Sequence, residues 1–468
     1  MRTIKGHREQ TLRMVNYFDR IADAPTLFYD CDKTKYDPDL AKACKRSRTI
    51  KKCIGLQKQG IVGMPKKSLH LANEPLFSAY SSTPETDQKL KFGQNGGAYG
   101  VNPEEAILKS LGECIERYAL RKPNPPDISN KTLHQMLNKG KTVIDLSDFM
   151  NLGRSMINHL GFSCREDCLN ALEKIEFNWY VCKDAYGSES THIPEQLIFV
   201  SDTPNSTELM RLPISTGAAF GTEINGDDAK VRGILEIIER DCNMLQYLTS
   251  TNPPEIILDI PKLQLVKDKF ERHNLELRLY YTTLDLKVPT VMAVITDYSD
   301  RGPAISVGSK AAMNKETAIL GAILEAQQGR EFTQTNYLTR VDNHKMLPDE
   351  ITSLETRGLF WFDKGNIPLF KITQTTESIL ASQIVSHDQG DYEGNLHFLL
   401  NILSEKKYSL FFADIILPEV QNIGFHVIKS IIPELHPFWV DERFPYHHST
   451  RLKNFGGRKL NMVPHPFL

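Results

Sequence analysis

Glu236-Ile237-Ile238-Glu239-Arg240 lies in the most informative stretch of this 468-residue chain. The stretch follows the small, glycine-punctuated segment 215–221, and apolar residues recur along it at the three- and four-residue spacing of a helix. On that helix Asp228, Glu236 and Glu239 fall beside the apolar stripe and become half buried, where an unpaired negative charge is costly. The stretch therefore predicts a helix whose acidic side chains need arginines or metal ions as partners. The predicted core stripe consists of Val231, Ile234, Leu235, Ile238, Cys242 and Leu245.

The same acidic pattern occurs at two other places in the chain. Glu113-x-x-Glu116-Arg117 lies in a predicted helix over about 103–120, for which Asn102 is a good N-cap and Pro103 suits the first position. A looser third copy, Glu325-Ala-Gln-Gln-Gly-Arg330, follows later. In isolation the first copy is typical of any exposed amphipathic helix. Two complete copies in one chain indicate more, because clustered carboxylates repel one another unless a multivalent cation neutralises them.

Such a cluster has an evident chemistry. Hard carboxylate oxygens suit Mg²⁺, which is often held by a few carboxylates together with substrate phosphates, and arginines bind phosphate oxygens in bidentate fashion. These groups could hold a nucleoside triphosphate and stabilise a transferring phosphoryl group. The sequence contains neither a P-loop nor the protein-kinase motifs. If the protein uses ATP, we expect carboxylate-held magnesium to take the place of a P-loop.

Composition excludes several other classes of protein. The formal net charge is −2, so no overall field would recruit nucleic acid or an anionic membrane. No apolar run approaches the length of a membrane span, and the first residues lack a secretory apolar region, so we expect a cytoplasmic protein. Eight cysteines in a chain of this length do not form a disulfide scaffold.

Strand-like and helix-like segments alternate through the middle of the chain, which predicts an α/β (α+β) fold. Residues 341–400 resemble a looser connecting region. The predicted strands cover residues 277–281, 288–296, 304–308, 408–417 and 426–432.

Taken together, the motifs resemble the YcaO family of ATP-dependent enzymes that modify peptide backbones. The resemblance spans about residues 86–468 and rests on the three acidic segments, the turn at 215–221 and the stretch from Asp414 to Pro437. It implies a YcaO-type fold, with sheets flanked by helices and an ATP/Mg site between them. Residues 1–85 would form an N-terminal extension that could contact a partner.

The resemblance also implies the site residues, position by position. Where the family usually has Ser-x-x-x-Glu, this chain has Lys109, and Ser110 stands one step closer to Glu113; Asp228 replaces a glutamate. The implied Mg²⁺ ligands are Glu113, Glu116, Asp228, Glu236 and Glu239, and the implied nucleotide-binding residues are these five with Ser110, Arg117, Arg240 and Arg330.

The end of the sequence, Pro464-His-Pro-Phe-Leu468, is similar to the Pro-x-Pro terminus of the azoline-forming branch of the family. That branch makes thiazolines and oxazolines from Cys, Ser or Thr of a ribosomal precursor peptide, for example in the maturation of a bacteriocin or toxin. The resemblance implies that Pro464, Pro466 and Leu468 are catalytic, with the restricted proline φ angles placing the Leu468 carboxylate near the reacting amide.

Partners are likewise implied by the resemblance. They are the precursor peptide, a ubiquitin-activating-enzyme-like protein that binds its leader and an FMN-dependent dehydrogenase that oxidises azoline to azole. The resemblance also implies a homodimer. Two alternatives remain open: a YcaO relative that forms thioamides or amidines, and an inactive scaffold that binds peptide. The Pro-x-Pro segment favours azoline formation over the first, and the costly acidic cluster argues against the second.

Overall fold

The computed structural model describes residues 38–67, 78–83, 96–121, 124–149, 153–187, 190–200, 217–340, 344–456 and 459–468. Helices and three sheets are mixed along the chain, which confirms the predicted α/β (α+β) class. The α-helices are α1 Pro38–Gly55, α2 Pro103–Leu120, α3 Leu133–Asn138, α4 Arg154–His159, α5 Arg165–Leu172, α6 Glu195–Ile198, α7 Asp227–Thr249, α8 Pro261–Glu271, α9 Lys315–Leu338, α10 Leu354–Phe360, α11 Tyr392–Glu405, α12 Pro418–Gln421 and α13 Thr450–Phe455. The strands are β1 Lys66–Lys67, β2 Ser78–Ser82, β3 Gly96–Gly100, β4 Ile128–Thr132, β5 Glu176–Asp184, β6 Ser190–Pro194, β7 Ala218–Gly221, β8 Glu255–Ile257, β9 Glu276–Tyr281, β10 Thr290–Thr296, β11 Ile305–Ala311, β12 Ser378–Leu380, β13 Phe411–Asp414 and β14 His426–Ile431.

One sheet has six strands in the order β4-β5-β13-β14-β7, with β6 paired to β5. Its central pair is antiparallel, with Phe412 opposite Ser430, and β7 follows on the far side with Ala218 opposite Lys429. β14 is buried at every position after His426 although it contains a lysine. A lysine inside a buried strand needs acidic partners, and helices α2 and α7 provide one each, Glu116 and Glu236.

The second sheet has five strands in the order β11-β10-β9-β8-β12, and its predicted hairpin is present as antiparallel β10 and β11. All seven positions of β10 are buried, because α9 covers one face and an aromatic cluster around Trp361 lies on the other. Gly308 of β11 faces the backbone of α9 at Ala326. The absence of a side chain there allows strand and helix to approach closely.

Helix α7 lies between the two large sheets, since it packs against β14 and β7 of one and β11 of the other. The predicted core stripe is confirmed, because all six of its residues are buried. Of the predicted turn at 215–221, residues 217–221 are described and residues 215 and 216 lie outside the described part. The N-cap of α7 is Gly226, which has a left-handed conformation. This central placement brings the acidic flank of α7 to the interface of the sheets.

Helix α2 begins and ends where the sequence predicts, and the Asn102 side chain accepts a hydrogen bond from the Glu105 nitrogen. The helix packs on β3 and β2 of the three-stranded sheet, and α1 packs on α2. Buried residues of α1 such as Ile50 and Cys53 belong to the same cluster as Leu111 of α2. Helix α1 of the predicted extension 1–85 is therefore packed onto the rest of the fold, and residues 1–37, 68–77, 84 and 85 lie outside the described part.

The predicted loose region 341–400, described from residue 344 onward, contains more regular structure than the sequence predicts. They contain α10 and the start of α11 as well as short 3₁₀ turns and β12, which pairs with β8 in parallel. Short helices with few periodic residues carry little sequence signal, which is why α10 was not expected. Among the described residues no helix is both long enough and apolar enough to cross a membrane.

The contact of β11 with α9 gives a first prediction. In Gly308→Ala a new Cβ would overlap the Ala326 nitrogen and the Ala322 oxygen, so strand and helix must separate. We expect a loss of ~2 kcal/mol or more in the free energy of unfolding, measured by urea denaturation. Gly55→Ala is the matched control, since Gly55 has helical angles and no atom within 4 Å of its would-be Cβ. It should be neutral or slightly stabilising; a loss equal in both variants would contradict the packing argument.

Candidate active site

The first acidic segment faces the interior from α2. One oxygen of Glu113 accepts a hydrogen bond from the Gly97 nitrogen (2.9 Å) and the other pairs with Arg117 (2.5 Å). Burial raises the pKa of Glu113, while Arg117 and the Gly97 N–H lower it in part. Burial, followed by the nearby carboxylates of Glu236 and Glu113, raises the pKa of Glu116 to about 8. Helix α2 is thus not the solvated helix that this motif suggests in isolation.

Glu236 of α7 is the acidic residue that faces this group. Its Oε2 accepts a hydrogen bond from the Gly217 nitrogen (2.8 Å), just before β7. On the neighbouring strand β14, Lys429 is 1% exposed, and burial lowers its pKa to about 7 although Glu236 and Glu116 raise it. Glu113, Glu116 and Glu236 therefore form one group, which we call the upper cluster.

Glu239, on the next turn of α7, belongs to a second group that reaches the other sheet. Its Oε1 accepts from the Ser309 hydroxyl (2.8 Å) and its Oε2 from the Ala311 nitrogen (3.0 Å) of β11. Lys310 lies 3.6 Å from Glu239 and 3.2 Å from Glu325 of α9. We call Glu239, Lys310 and Glu325 the lower cluster.

Lys310 connects the two clusters electrostatically. The carboxylates of Glu325 and Glu239 raise its pKa most, and Glu236 of the upper cluster adds to the shift. Lys310 in turn lowers the pKa of Glu113 in part. Burial raises the pKa of Glu325, and Lys310 and Arg240 lower it in part. The three acidic segments thus converge on one region between the sheets.

Asp228 occupies a different position from the other predicted metal ligands. It is 2% exposed at the first turn of α7, where its oxygens accept hydrogen bonds from the nitrogens of Thr222 (2.7 Å) and Ala229 (3.0 Å). Arg232 also binds it at 2.8 Å. Both oxygens of Asp228 are therefore engaged in fixing the start of the helix, and its assignment as a metal ligand stays a prediction.

Arg330 and Ser110 also have structural partners of their own. Arg330 is 2% exposed and donates to Asp297 (2.7 Å) and to the Pro303 carbonyl (3.0 Å), which ties α9 to the turn before β11. The Ser110 hydroxyl is buried and donates to the Ile107 carbonyl of its own helix (2.9 Å). Neither side chain is joined to the acidic clusters by these bonds, so their predicted nucleotide roles remain untested.

Arg240 is the last residue of the second acidic segment, and in the folded protein it lies near the C-terminal residues. Its guanidinium stands 4.7 Å from the centre of the Phe438 ring, and its Nε has no hydrogen-bond partner among the described residues. The charge of Arg240 lowers the pKa of both Glu325 and His465. Arg240 is thus close to the lower cluster and to the Pro-x-Pro segment at once.

Residues 464–467 are buried and lie against the site. Tyr247, on α7, donates to the Pro464 carbonyl (3.0 Å), and the His465 ring binds the Trp439 carbonyl (2.9 Å). The Leu468 side chain approaches Gly329 of α9, since a Cβ there would be 3.3 Å from it. A cavity of about 200 Å³, lined by Pro464 and His465 among others, adjoins the segment. The segment is therefore part of the folded structure.

The sequence analysis did not identify three residues of the site as ligands or partners. Lys310 and Lys429 are lone lysines in otherwise buried strands, and that pattern is a signal that could have found them. Gln328, inside the third acidic segment, donates to the Gly97 carbonyl (2.8 Å). Since the Gly97 nitrogen binds Glu113, Gln328 connects the third segment to the first through β3.

The upper cluster fits a divalent cation by its chemistry. Three carboxylates with hard oxygen donors face one another, and the charge of Glu236 raises the pKa of both Glu113 and Glu116. Within the described ranges, however, no three acidic, histidine or cysteine side chains already stand at metal-ligand spacing. Glu113 is paired with Arg117 on its own helix. The ligand assignments stay predictions that this geometry supports.

The profile of a family described as YcaO cyclodehydratase, ATP- and Mg²⁺-binding, matches residues 77–436. Among curated proteins, an uncharacterised protein of Methanothermobacter thermautotrophicus is 24% identical over 285 residues, covering 57% of this chain and 68% of its own length. The family match ends before the Pro-x-Pro segment.

Several solved structures have a similar fold. A heterocyclase in complex with substrate and cofactor gives a TM-score of 0.68 at 16% identity over 89% of this chain, which spans only 57% of that protein. YcaO from Methanopyrus kandleri bound with AMPPCP and Mg²⁺ gives 0.56 at 17% identity, covering 83% of this chain and 91% of that one. The Escherichia coli microcin synthetase McbBCD complex with pro-MccB17 bound gives 0.55 at 16% identity, covering 80% and 88%. These similarities confirm the predicted YcaO-type fold.

Proposed function

The chain belongs to the YcaO cyclodehydratase family, and from that premise we propose that it is an ATP-dependent peptide cyclodehydratase. It converts Cys, Ser or Thr of a ribosomal precursor peptide to thiazoline or oxazoline. ATP and Mg²⁺ are its cofactors. The observation that carries the proposal is the convergence of three acidic segments between the sheets. Helix α7, which contributes Glu236 and Glu239, also binds the buried Pro-x-Pro segment through Tyr247.

The chain's own residues divide the work between binding and charge control. Glu113, Glu116 and Glu236 of the upper cluster would hold Mg²⁺. Glu239 and Asp228, whose oxygens also accept hydrogen bonds from the protein, would extend the ligand set. The bound nucleotide supplies the phosphoryl group that turns an amide oxygen into a leaving group. Arg117 and Arg240 offer guanidinium groups for phosphate oxygens. Lys310 and Lys429 limit the repulsion among the carboxylates before the cation binds.

The proposed reaction is a cyclisation with loss of water, and it needs no oxidant. The substrate thiol or hydroxyl loses its proton and forms a bond to the preceding amide carbon, and the former carbonyl oxygen becomes an oxyanion. That oxygen takes the γ-phosphoryl group of ATP, releasing ADP. The C–O bond then breaks with loss of phosphate, the amide nitrogen gives up its proton, and the C=N bond of the azoline forms. Positioning and charge stabilisation are what the protein must supply.

We assign catalysis at the reacting amide to Pro464, Pro466 and Leu468. The two prolines fix their φ angles, and the carbonyl of Pro464 is bound by Tyr247 from the same helix that carries Glu236 and Glu239. This connection supports azoline formation over an inactive scaffold, because the segment is anchored beside the acidic clusters.

We further propose a partner protein that binds the leader of the precursor peptide. A solved relative, the McbBCD complex, is an assembly with pro-MccB17 bound, which supports a multiprotein reaction. An FMN-dependent dehydrogenase acting on the product is the second proposed partner. A homodimer is a further proposal.

Mass spectrometry tests the proposed function. We expect a candidate precursor peptide, incubated with this chain, the leader-binding partner, ATP and Mg²⁺, to lose about 18 Da for each ring, because each cyclisation removes one water. Replacing ATP with AMPPCP should stop the loss, since no phosphoryl group can then be transferred. Tandem spectra should place the loss at Cys, Ser or Thr. Mass loss that persists without nucleotide, or ATP turnover with an unmodified peptide, would refute this assignment.

A further inference from the structure

Arg357, outside all the motifs, binds the Pro-x-Pro segment through the backbone of His465. It lies on α10 and is completely buried. Its NH1 donates to the His465 carbonyl (2.7 Å) and to Glu442 (2.5 Å), and its NH2 donates to the Val440 carbonyl (2.5 Å). One guanidinium group therefore joins α10, the loop segment 440–442 and the C-terminal residues.

The Pro-x-Pro sequence makes these side-chain bonds necessary. Proline has no N–H group, so residues 464 and 466 cannot contribute donors to a sheet. The buried carbonyl groups of Pro464 and His465 still need hydrogen-bond donors, because an unpaired buried carbonyl is costly. Tyr247 supplies one to Pro464 and Arg357 supplies one to His465. Side chains, not a backbone ladder, thus fix the position of the segment.

The two donors come from elements with different roles. Tyr247 lies about 12 Å along α7 from Glu239, so it places the segment relative to the acidic clusters. Arg357 comes from α10, which packs on α9, the helix that carries Glu325 and Gln328. The segment is therefore held between α7, which carries the second acidic segment, and α10, which packs on the helix of the third.

We propose that Arg357 is a positioning residue for the peptide step, one that holds residues 464–468 in register with the nucleotide-binding helices. This inference rests on the proposed function. It predicts that loss of Arg357 slows ring formation through kcat and leaves the binding of Mg²⁺ and ATP intact, since Arg357 touches none of the acidic residues assigned to the cation.

The test uses the double variant Arg357→Met with Glu442→Gln, because removing Arg357 alone would leave a buried, unpaired carboxylate. The matched control is Arg278→Met with Glu255→Gln, an Arg–Glu pair at 2.5 Å that joins β9 to β8. We expect hydrogen exchange of the amides of residues 465, 467 and 468 to rise about tenfold in the first double variant only. We expect kcat for ring formation to fall about tenfold or more, with the KM for peptide and the affinity for Mg²⁺–ATP within about twofold.

The outcomes separate this proposal from the proposed function. If the wild-type protein forms rings and the Arg357 variant does so at the same kcat, the positioning role is wrong while the function stands. If exchange at residues 465–468 is unchanged, the anchoring is wrong. A fall in Mg²⁺–ATP affinity equal to the fall in kcat would show a general structural role instead. A wild-type protein that forms no ring overturns the proposed function, and the positioning role with it.

Discussion

Replacing Glu116 by Gln is expected to stabilise the metal-free protein and to abolish its response to Mg²⁺–ATP. Burial and the carboxylates of Glu236 and Glu113 raise the pKa of Glu116 to about 8, well above its ordinary value. A raised carboxyl pKa means that the folded state binds more protons than the unfolded state. Glu116 therefore lowers the free energy of unfolding by an amount that grows as the pH rises from about 4.5 to 8. The other charges facing Glu116 are those of Arg117, Arg232 and Lys429.

Because Glu116 is half buried, the gain in Glu116→Gln should be ~1–2 kcal/mol at pH 7 and should shrink toward pH 5. Thermal melts in the presence of a chelator measure this difference. Addition of Mg²⁺ and ATP should raise the melting temperature of the wild-type protein by several degrees, as a ligand that binds only the folded state does. The variant should show little or no rise, and its ATP turnover should fall by about a hundredfold.

Glu104→Gln is the control on the same helix. Glu104 lies in the first turn of α2, where a negative charge favours the positive helix end, so its loss should slightly destabilise the protein and leave the Mg²⁺–ATP response intact. Destabilisation of the metal-free Glu116→Gln protein, together with a preserved response to Mg²⁺–ATP, would show that this glutamate is structural.

Deleting residues 464–468 is expected to abolish ring formation while nucleotide affinity stays within about threefold of the wild-type value. The segment adjoins the lower cluster through Arg240 and Tyr247, but none of its residues is assigned to the cation. A misplaced reacting group costs about a hundredfold in rate, so ring formation should fall at least that far. Mass spectrometry measures the rings, and calorimetry measures Mg²⁺–ATP binding.

The deletion also removes the buried Phe467 side chain, which packs near Tyr247, so stability must be controlled. Leu403→Ala, in a fully buried position of α11, should cost a comparable ~2–5 kcal/mol and leave ring formation largely intact. Equal losses of ring formation in both variants would assign the effect of the deletion to stability alone. Full ring formation by the deleted protein would remove the segment from the mechanism.

The helices that carry the site were predictable because their information is local. The apolar residues of α7 recur at helical spacing, and Ile234, Leu235 and Ile238 are buried as expected. Asn102 and Pro103 mark the start of α2, and the acidic residues follow at fixed angles from the core stripe. Local spacing therefore determines which face of each helix carries its carboxylates.

The partners of those carboxylates were not predictable in the same way. Glu239 binds Ala311, which is 72 residues away in the sequence, and Lys429 reaches Glu236 only because β14 pairs with β7. Asp228, by contrast, accepts hydrogen bonds from backbone nitrogens at the start of its own helix. Periodicity gives the direction of a side chain but not which distant strand lies in front of it.

By itself, the sequence determined the α/β class, the two helices with paired glutamates and the family. Only the tertiary structure decided that the acidic residues divide into an upper and a lower cluster joined by Lys310, that Arg330 binds Asp297, and that Arg357 and Tyr247 hold the Pro-x-Pro segment. The physical reason is that helix faces follow from neighbouring residues a few positions apart. Charge pairing and carbonyl satisfaction in a buried site depend on strand order and helix packing across the whole chain.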